Sequence, residues 1–361
     1  MTRGELALLL MRRPLVAFTI VALVVVSGEL ECSPIELTAS QEHGREIYGR
    51  MCAVCHGAGG EGYKADQAPA LAHRDFLASV TDQFLRSAIA NGRGGTTMSA
   101  WAKERGGPLE PDDVTATIAF LRTWDRREHP SLDERPSAGN ASAGTAIFAR
   151  ECVRCHGVRG TGGPNVNIGN AQLLSTASDG FLRHAIRGGR SATAMASYQG
   201  TLGDGEIEDV LAALRSWKSP VFVVKAPTRP PPLPLGPVPL NPRGPEPVGF
   251  RATPLLTPAD VIKSQLDRGA RMALLDARAP SDYTNEHISG AVSVPFYDPE
   301  PYVDALPRNT WLVCYCGCPH AESGSLAQKL VAKGFTKVTV LDEGLGVWRS
   351  RKYGIHSGLD P

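Results

Sequence analysis

Hydrophobic and polar positions divide the chain into stretches of different rhythm. The first is an apolar run over residues 15–26, with Arg12 and Arg13 before it and Ser27 and Gly28 after it. A basic start, an apolar middle and a small-residue exit are the parts of an export signal, with Val26-Ser27-Gly28 as the cleavage region. Lengthened by residues 6–11, the same run would serve as an uncleaved membrane anchor. From residue 38 the pattern turns helical. Gly44, Tyr48 and Cys52 fall at steps of four and predict a helix over 38–52. Phe84, Leu85, Ala88 and Ile89 mark a short amphipathic helix. Pro111 opens another, with Asp112 and Asp113 in its first turn and Val114, Ile118, Leu121 and Trp124 along its apolar stripe. A Gly-rich stretch over 57–62 and an extended loop over 91–98 lie between these helices.

The same rhythm returns after residue 138. Gly44, Tyr48, Cys52, Cys55, His56 and Gly57 recur 100 positions later as Gly144, Phe148, Cys152, Cys155, His156 and Gly157. Asp82, Phe84, Leu85, Arg86, Ile89, Gly92, Arg93, Thr96 and Met98 recur 97 positions later as Asp179, Phe181, Leu182, Arg183, Ile186, Gly189, Arg190, Thr193 and Met195. Ile207, Val210, Leu211, Leu214 and Trp217 complete a closing helix. A duplication with a three-residue deletion in one loop accounts for all of this. A proline-rich stretch over 220–249 then predicts a stiff polyproline II spacer.

Beyond the spacer the rhythm changes again. Thr257-Pro258-Ala259-Asp260 reads as a capping-box start for a helix ending near Gly269. Strands are predicted at 273–276, 292–294, 311–315 and 337–341, with a helix over 323–333, and this alternation implies a parallel sheet. The expected organisation is an export signal or anchor over 1–37, all-α domains over 38–128 and 138–219, a spacer over 220–250 and an α/β domain over 251–361. A length of 361 residues suits several domains. The net charge of +1, with no polybasic face, argues against nucleic acid as a partner. The eight cysteines are clustered rather than scattered as in a disulfide-stapled scaffold.

Five of those cysteines stand at Cys32 and in Cys52-Ala53-Val54-Cys55-His56 and Cys152-Val153-Arg154-Cys155-His156. The C-x-x-C-H spelling places two thiols to form thioethers on one porphyrin edge and a histidine under the iron. A lone C-x-x-C would also fit a redox pair or half a zinc site; the adjacent His and the duplication argue otherwise. Each repeat resembles a class I c-type cytochrome domain: a helix, C-x-x-C-H, a Gly-rich loop, a distal methionine and a closing helix ending in an aromatic. The resemblance implies two covalently attached haem c groups, held at Cys52, Cys55, Cys152 and Cys155. Their iron would be ligated by His56 and His156 below and by Met98 and Met195 above. His43, His73, His129 and His184 are expected at the surface. Six-coordinate iron has no open position, so the expectation is electron transfer with respiratory donors and acceptors, in the periplasm or tethered to the membrane.

The last segment resembles a rhodanese domain. The resemblance rests on Leu275-Asp276-Ala277-Arg278, His287-Ile288-Ser289-Gly290-Ala291, the Tyr315-Cys316 loop, and Leu341-Asp342-Glu343-Gly344 with Trp348. It implies that Cys316 is the catalytic cysteine. A loop leading into a helix N-terminus is expected to make an anion site that lowers its pKa, so that it takes up sulfane sulfur as a persulfide. The loop departs from the family pattern: it lacks the usual arginine, is one residue longer, and carries Glu322 where an anion would dock. Cys314 is expected in the strand core, and Cys318 stands close by. Two main readings follow, with an inactive docking module as a third. The chain is an electron carrier with an appended sulfur-handling domain, or a sulfur-compound-oxidising enzyme in which Cys316 accepts sulfur and the haems remove electrons.

Overall fold

The computed structural model describes residues 36–65, 67–217 and 238–361; the expected export signal and most of the proline-rich spacer lie outside them. Among the described residues no helix is long and apolar enough to cross a membrane. The first repeat opens on helix Ala39–Ile47, whose Thr38 cap accepts from the Gln41 amide while Gln41 bonds back to Thr38. The helix expected to run unbroken to Cys52 instead widens into a π-turn over Tyr48–Cys52 before helix Ala53–His56. In the second repeat the equivalent chain is α-helical from Ala141 to Glu151, followed by helix Val153–His156. The closing helices Pro111–Leu121 and Asp204–Ser216 pack on these entry helices through Gly44 and Gly144. Aromatics wedge the junctions, with Tyr48 5.1 Å from Trp124 and Phe148 4.7 Å from Trp217, both edge-on.

An arginine at the end of each closing helix repeats one task. Arg122 donates to Leu77 O (2.6 Å), Val80 O (2.7 Å) and Asp82 Oδ1 (2.8 Å). Arg215 donates to Leu174 O (2.5 Å), Ala177 O (2.6 Å) and Asp179 Oδ1 (2.5 Å), the same positions shifted by 97. Each guanidinium thus satisfies the carbonyls left open where a short helix ends. The connection between the repeats is pinned rather than loose: His129 Nδ1 lies 2.9 Å from Ala78 O, and buried Arg183 donates to Arg135 O at 2.9 Å.

The α/β domain has strands β1 (Leu256–Thr257), β2 (Met272–Asp276), β3 (His287–Ile288), β4 (Val292–Ser293), β5 (Trp311–Tyr315), β6 (Val338–Leu341) and β7 (Ile355–His356). Five form a parallel sheet in the order β1-β6-β5-β2-β4, and β3 pairs antiparallel with β7. β2 and β6 are buried throughout, as strands covered on both faces must be. Helix Ala259–Asp267 follows Pro258, but no capping box forms. Thr257 lies in β1 and its hydroxyl bonds Thr339 (2.7 Å) and the Arg251 amide (3.0 Å) instead. Residues 238–250, expected in the spacer, are attached to this domain: Leu240 donates to Met272 O at 2.7 Å and Arg271 to Pro245 O at 2.8 Å.

Candidate functional site

The two C-x-x-C-H segments occupy equivalent geometry. His56 is buried, and its Nδ1 lies 2.9 Å from Pro69 O; His156 Nδ1 lies 3.0 Å from Val166 O. A ring nitrogen bonded to a carbonyl carries the proton, which leaves Nε2 as the atom offered to a metal. Burial pushes the Cys52 thiol up to about 12 and the Cys152 thiol to about 11, so both are neutral. Gly57 and Gly157 follow the histidines at φ +83° and +76°, where a Cβ would strike Glu61 in one repeat and Thr161 O in the other.

Met98 and Met195 sit half-buried in loops of the same design. The Arg93 amide donates to Met98 O (2.9 Å) and the Met98 amide to Thr96 Oγ1 (3.2 Å); the counterparts are Arg190 to Met195 O (2.8 Å) and Met195 to Thr193 Oγ1 (3.1 Å). Arg93 lies over the Phe84 ring at 4.9 Å and Arg190 over Phe181 at 5.4 Å. Burial lowers the Arg93 guanidinium to about 10, and its Nη1 is a buried donor without a protein partner. An orphaned cationic donor beside a methionine loop fits a carboxylate-bearing cofactor such as haem, whose propionates would satisfy it.

Sequence comparison of the repeats does not foresee that the two loops dock on each other's repeat. Gly94 O accepts from Asn170 Nδ2 at 2.8 Å, and the Gly94 amide donates to Gln172. Reciprocally, Ser191 O meets His73 Nε2 at 2.7 Å and the Ser191 amide donates to Asp75 Oδ2 at 2.9 Å. Residues 73, 75 and 94 become 170, 172 and 191 on adding 97, so the interface has pseudo-two-fold symmetry. Phe84 and Phe181, also equivalent, meet at its centre with rings 5.4 Å apart, and Phe76 closes on Phe181 at 6.3 Å. His73 is therefore an interface residue, while His43 forms an exposed pair with Asp113.

In the α/β domain the motif residues hold the scaffold. Buried Asp276 pairs with Arg278 at 2.7 Å and accepts from Tyr315 Oη at 2.9 Å; His287 stacks on Tyr283 with centroids 3.9 Å apart. Cys314 lies buried in β5. Cys316 follows β5 and is 0 % exposed, Cys318 is 1 % exposed and Glu322 4 %. The Cys316 Sγ–H donates to Cys318 O at 2.7 Å, the two sulfurs are 3.1 Å apart, and Ser323 Oγ lies 3.3 Å from Cys316 Sγ. Burial, reinforced by Cys318 and Glu322, pushes the Cys316 thiol well up, against the lowering expected from the helix N-terminus. Glu322 is itself pushed well up by burial, so the negative charge expected at the loop is suppressed.

This loop abuts the first repeat. A Cβ on Gly317 would lie 3.5 Å from Thr97 Cγ2, Ser99 Oγ donates to Asp282 Oδ2 at 2.6 Å, and Ser281 Oγ donates to Ala100 O at 2.8 Å. Trp101 packs on Tyr297 at 5.7 Å, and helix Ala321–Ala332 packs against helix Ala53–His56.

A family model for subunit III of cbb3-type cytochrome c oxidase matches residues 39–121 and 139–212, and one for the rhodanese-like domain matches 258–351. The FixP subunit of a cbb3-type cytochrome c oxidase from Bradyrhizobium sp. strain ORS 278 is 29 % identical over 201 residues, 52 % of this chain and 65 % of that subunit, so the chain spans just under two thirds of its length. The thiosulfate sulfurtransferase GlpE of Pseudomonas fluorescens is 33 % identical over 95 residues, 26 % of this chain and 83 % of GlpE. A solved rhodanese-like domain from Anabaena sp. covers 29 % of this chain and 80 % of that domain at 26 % identity and a TM-score of 0.27. Covalently attached haem c is the cofactor of the oxidase-subunit family. The C-terminal domain belongs to the rhodanese-like family, and the two helical repeats are the cytochrome c domains that the cbb3-type subunit III model matches.

Proposed function

We propose that the chain is a dihaem electron-transfer subunit of a respiratory oxidase, working at the periplasmic face of the membrane, with electrons passing between its two repeats. Cys52, Cys55 and His56 with Met98 would hold one haem c, and Cys152, Cys155 and His156 with Met195 the other. Bound there, each haem would supply a one-electron ferric–ferrous couple, with the thioether favouring the ferrous form. The observation that carries the reading is the reciprocal docking of the two methionine loops around Phe84 and Phe181. The pairs at Gly94 and Ser191 fix the loops in register, and the Phe84 and Phe181 rings pack between the repeats. A pyridine haemochrome assay on the full chain should give two haems, and one when Cys52 and Cys55, or Cys152 and Cys155, are both replaced by alanine; two haems in either variant would remove these attachment assignments. The partners would be respiratory donors and acceptors, as the FixP likeness suggests.

Cys316 would take up sulfane sulfur from a small sulfur compound, as the GlpE likeness suggests. A second reading, oxidation of that compound with electrons leaving toward the first repeat, is favoured by the seating of the Cys316 loop against Thr97. Haem reduction on adding polysulfide to oxidised protein, lost in Cys316→Ser, would support it.

A further inference from the structure

The Cys316–Cys318 pair carries an assignment of its own, which rests on the reading that Cys316 accepts sulfane sulfur. We propose that Cys318 is a resolving thiol that makes the site a reductase of small persulfides rather than a donor to a distant acceptor. In the first step a persulfide R–S–SH passes its outer sulfur to Cys316, leaving R–SH and Cys316–S–SH. In the second the Cys318 sulfur attacks the inner sulfur of that persulfide. The new bond joins Cys316 and Cys318, the inner–outer sulfur bond breaks, and the outer sulfur leaves with the bonding pair and the Cys318 proton as hydrogen sulfide. The two cysteines are oxidised to a disulfide and the sulfane sulfur is reduced. An external dithiol restores the pair by two thiol–disulfide exchanges.

Three observations support this. The two sulfurs are 3.1 Å apart, so an approach of about 1 Å reaches the roughly 2.05 Å of a disulfide. Cys316 and Cys318 are both buried and already in contact, so the second thiol meets a Cys316 persulfide without diffusing to it; such placement is worth a large effective concentration. The Glu322 carboxyl lies with both sulfurs in a group whose ligand atoms are all within 4.8 Å of one another. Burial favours its protonated form, so it can give its proton to the departing sulfide and take the Cys318 proton in exchange, relaying one proton overall. Burial also restricts the donor to a small persulfide, since Cys316, Cys318 and Glu322 are all 4 % exposed or less.

The test uses the full haem-loaded chain, reduced, freed of reductant and exposed to cysteine persulfide, with peptide mass spectrometry and sulfide release as readouts. Wild type should release one hydrogen sulfide per chain and yield a 316–318 peptide two hydrogens lighter, alkylated only after reduction. Cys318→Ala and Cys318→Ser should stop with Cys316 one sulfur heavier, and Cys316→Ser should give neither product. A wild-type chain that retains the persulfide overturns the resolving role while leaving sulfur uptake standing. A wild-type chain in which Cys316 gains no sulfur and no disulfide forms overturns both. The wild-type measurement alone decides these outcomes if a variant fails to fold.

Discussion

Replacing Gly44 by alanine should loosen the first haem domain, although the same change on an open helix stabilises. An Ala for Gly in a helix ordinarily gains roughly 0.5–1 kcal/mol by restricting the unfolded chain. At Gly44, however, the new Cβ would stand 2.0 Å from Ala116 O, 2.5 Å from Ala116 C and 3.0 Å from Phe120 Cβ. Two of these atoms are backbone of the closing helix and cannot swing aside, so the helices must part by roughly 1 Å to regain van der Waals contact. Overpacking of this kind costs about 1–3 kcal/mol, which outweighs the propensity gain. Tyr48 and Phe120, whose rings lie 5.5 Å apart, would be carried along with the displaced helices. Hydrogen exchange read by mass spectrometry isolates the effect from the other domains. Peptides within Ala39–Ile47 and Pro111–Leu121 should exchange up to roughly 70-fold faster, the population change that a net loss of up to about 2.5 kcal/mol implies. Gly49→Ala, with nothing within 4 Å of its Cβ, is the control and should not accelerate exchange. Gly144→Ala, facing Asp209 O at 1.8 Å, should show the same acceleration in Ala141–Glu151 and Asp204–Ser216 only. Exchange in Gly44→Ala equal to wild type would refute the close approach of the two backbones.

Two further outcomes follow from buried polar groups. Tyr48→Phe removes a 2.7 Å bond to Gly57 O, so the first repeat should lose about 1–2 kcal/mol in a urea titration, while Phe148→Tyr in the second repeat should not restore an equivalent gain; an unchanged midpoint for Tyr48→Phe would count against the bond. Burial raises the Glu322 carboxyl well above 4.5, so the fold retains a proton that the unfolded chain has lost; stability falls as pH rises from about 4.5 toward the folded pKa, and Glu322→Gln, which cannot ionise, should gain on wild type over that range. A urea-midpoint difference between the two that is flat with pH would show that the carboxyl is not raised.

The duplicated fold was legible because its signal is repeated: equal offsets of glycine, aromatic and C-x-x-C-H positions mark helices and loops that the structure places in equivalent geometry. The alternation of apolar strands and amphipathic helices likewise gave the parallel sheet. Local chemistry misled at Thr257, where a β-branched residue with a threonine partner across the sheet prefers a strand to a helix cap. The π-turn over Tyr48–Cys52 has no periodic signature, since the same spacing from Gly44 to Cys52 recurs from Gly144 to Cys152 in a chain that stays α-helical to Glu151. The reciprocal interface was hidden for a different reason. Its members are equivalent in position but not in type: His73 and Asn170, Asp75 and Gln172, Gly94 and Ser191. Comparison by identity passes over them, although each pair performs the same hydrogen bonding to the opposite loop. At the sulfur site, the sequence shows two thiols and an acid but not their burial. Burial reverses the expected electrostatics, turning an anticipated anionic loop into a neutral, desolvated one.

Duplication supplies two equal loops, and their neighbours make them unequal. In the first repeat, Ser99, Ala100 and Trp101 beyond the methionine are all 5 % exposed or less, because Ser281, Asp282 and Tyr297 of the rhodanese-like domain cover them. The equivalent positions in the second repeat are Ala196 and Ser197, which are exposed, and Tyr198, which is half-buried. The first loop is thus enclosed by protein on two sides, by the second repeat and by the rhodanese-like domain, whereas the second meets the first repeat on one side and solvent on the other. A charge change at the first site is therefore less well solvated and more strongly coupled to its neighbours than the same change at the second. Two copies of one domain acquire different surroundings here through what each loop is packed against.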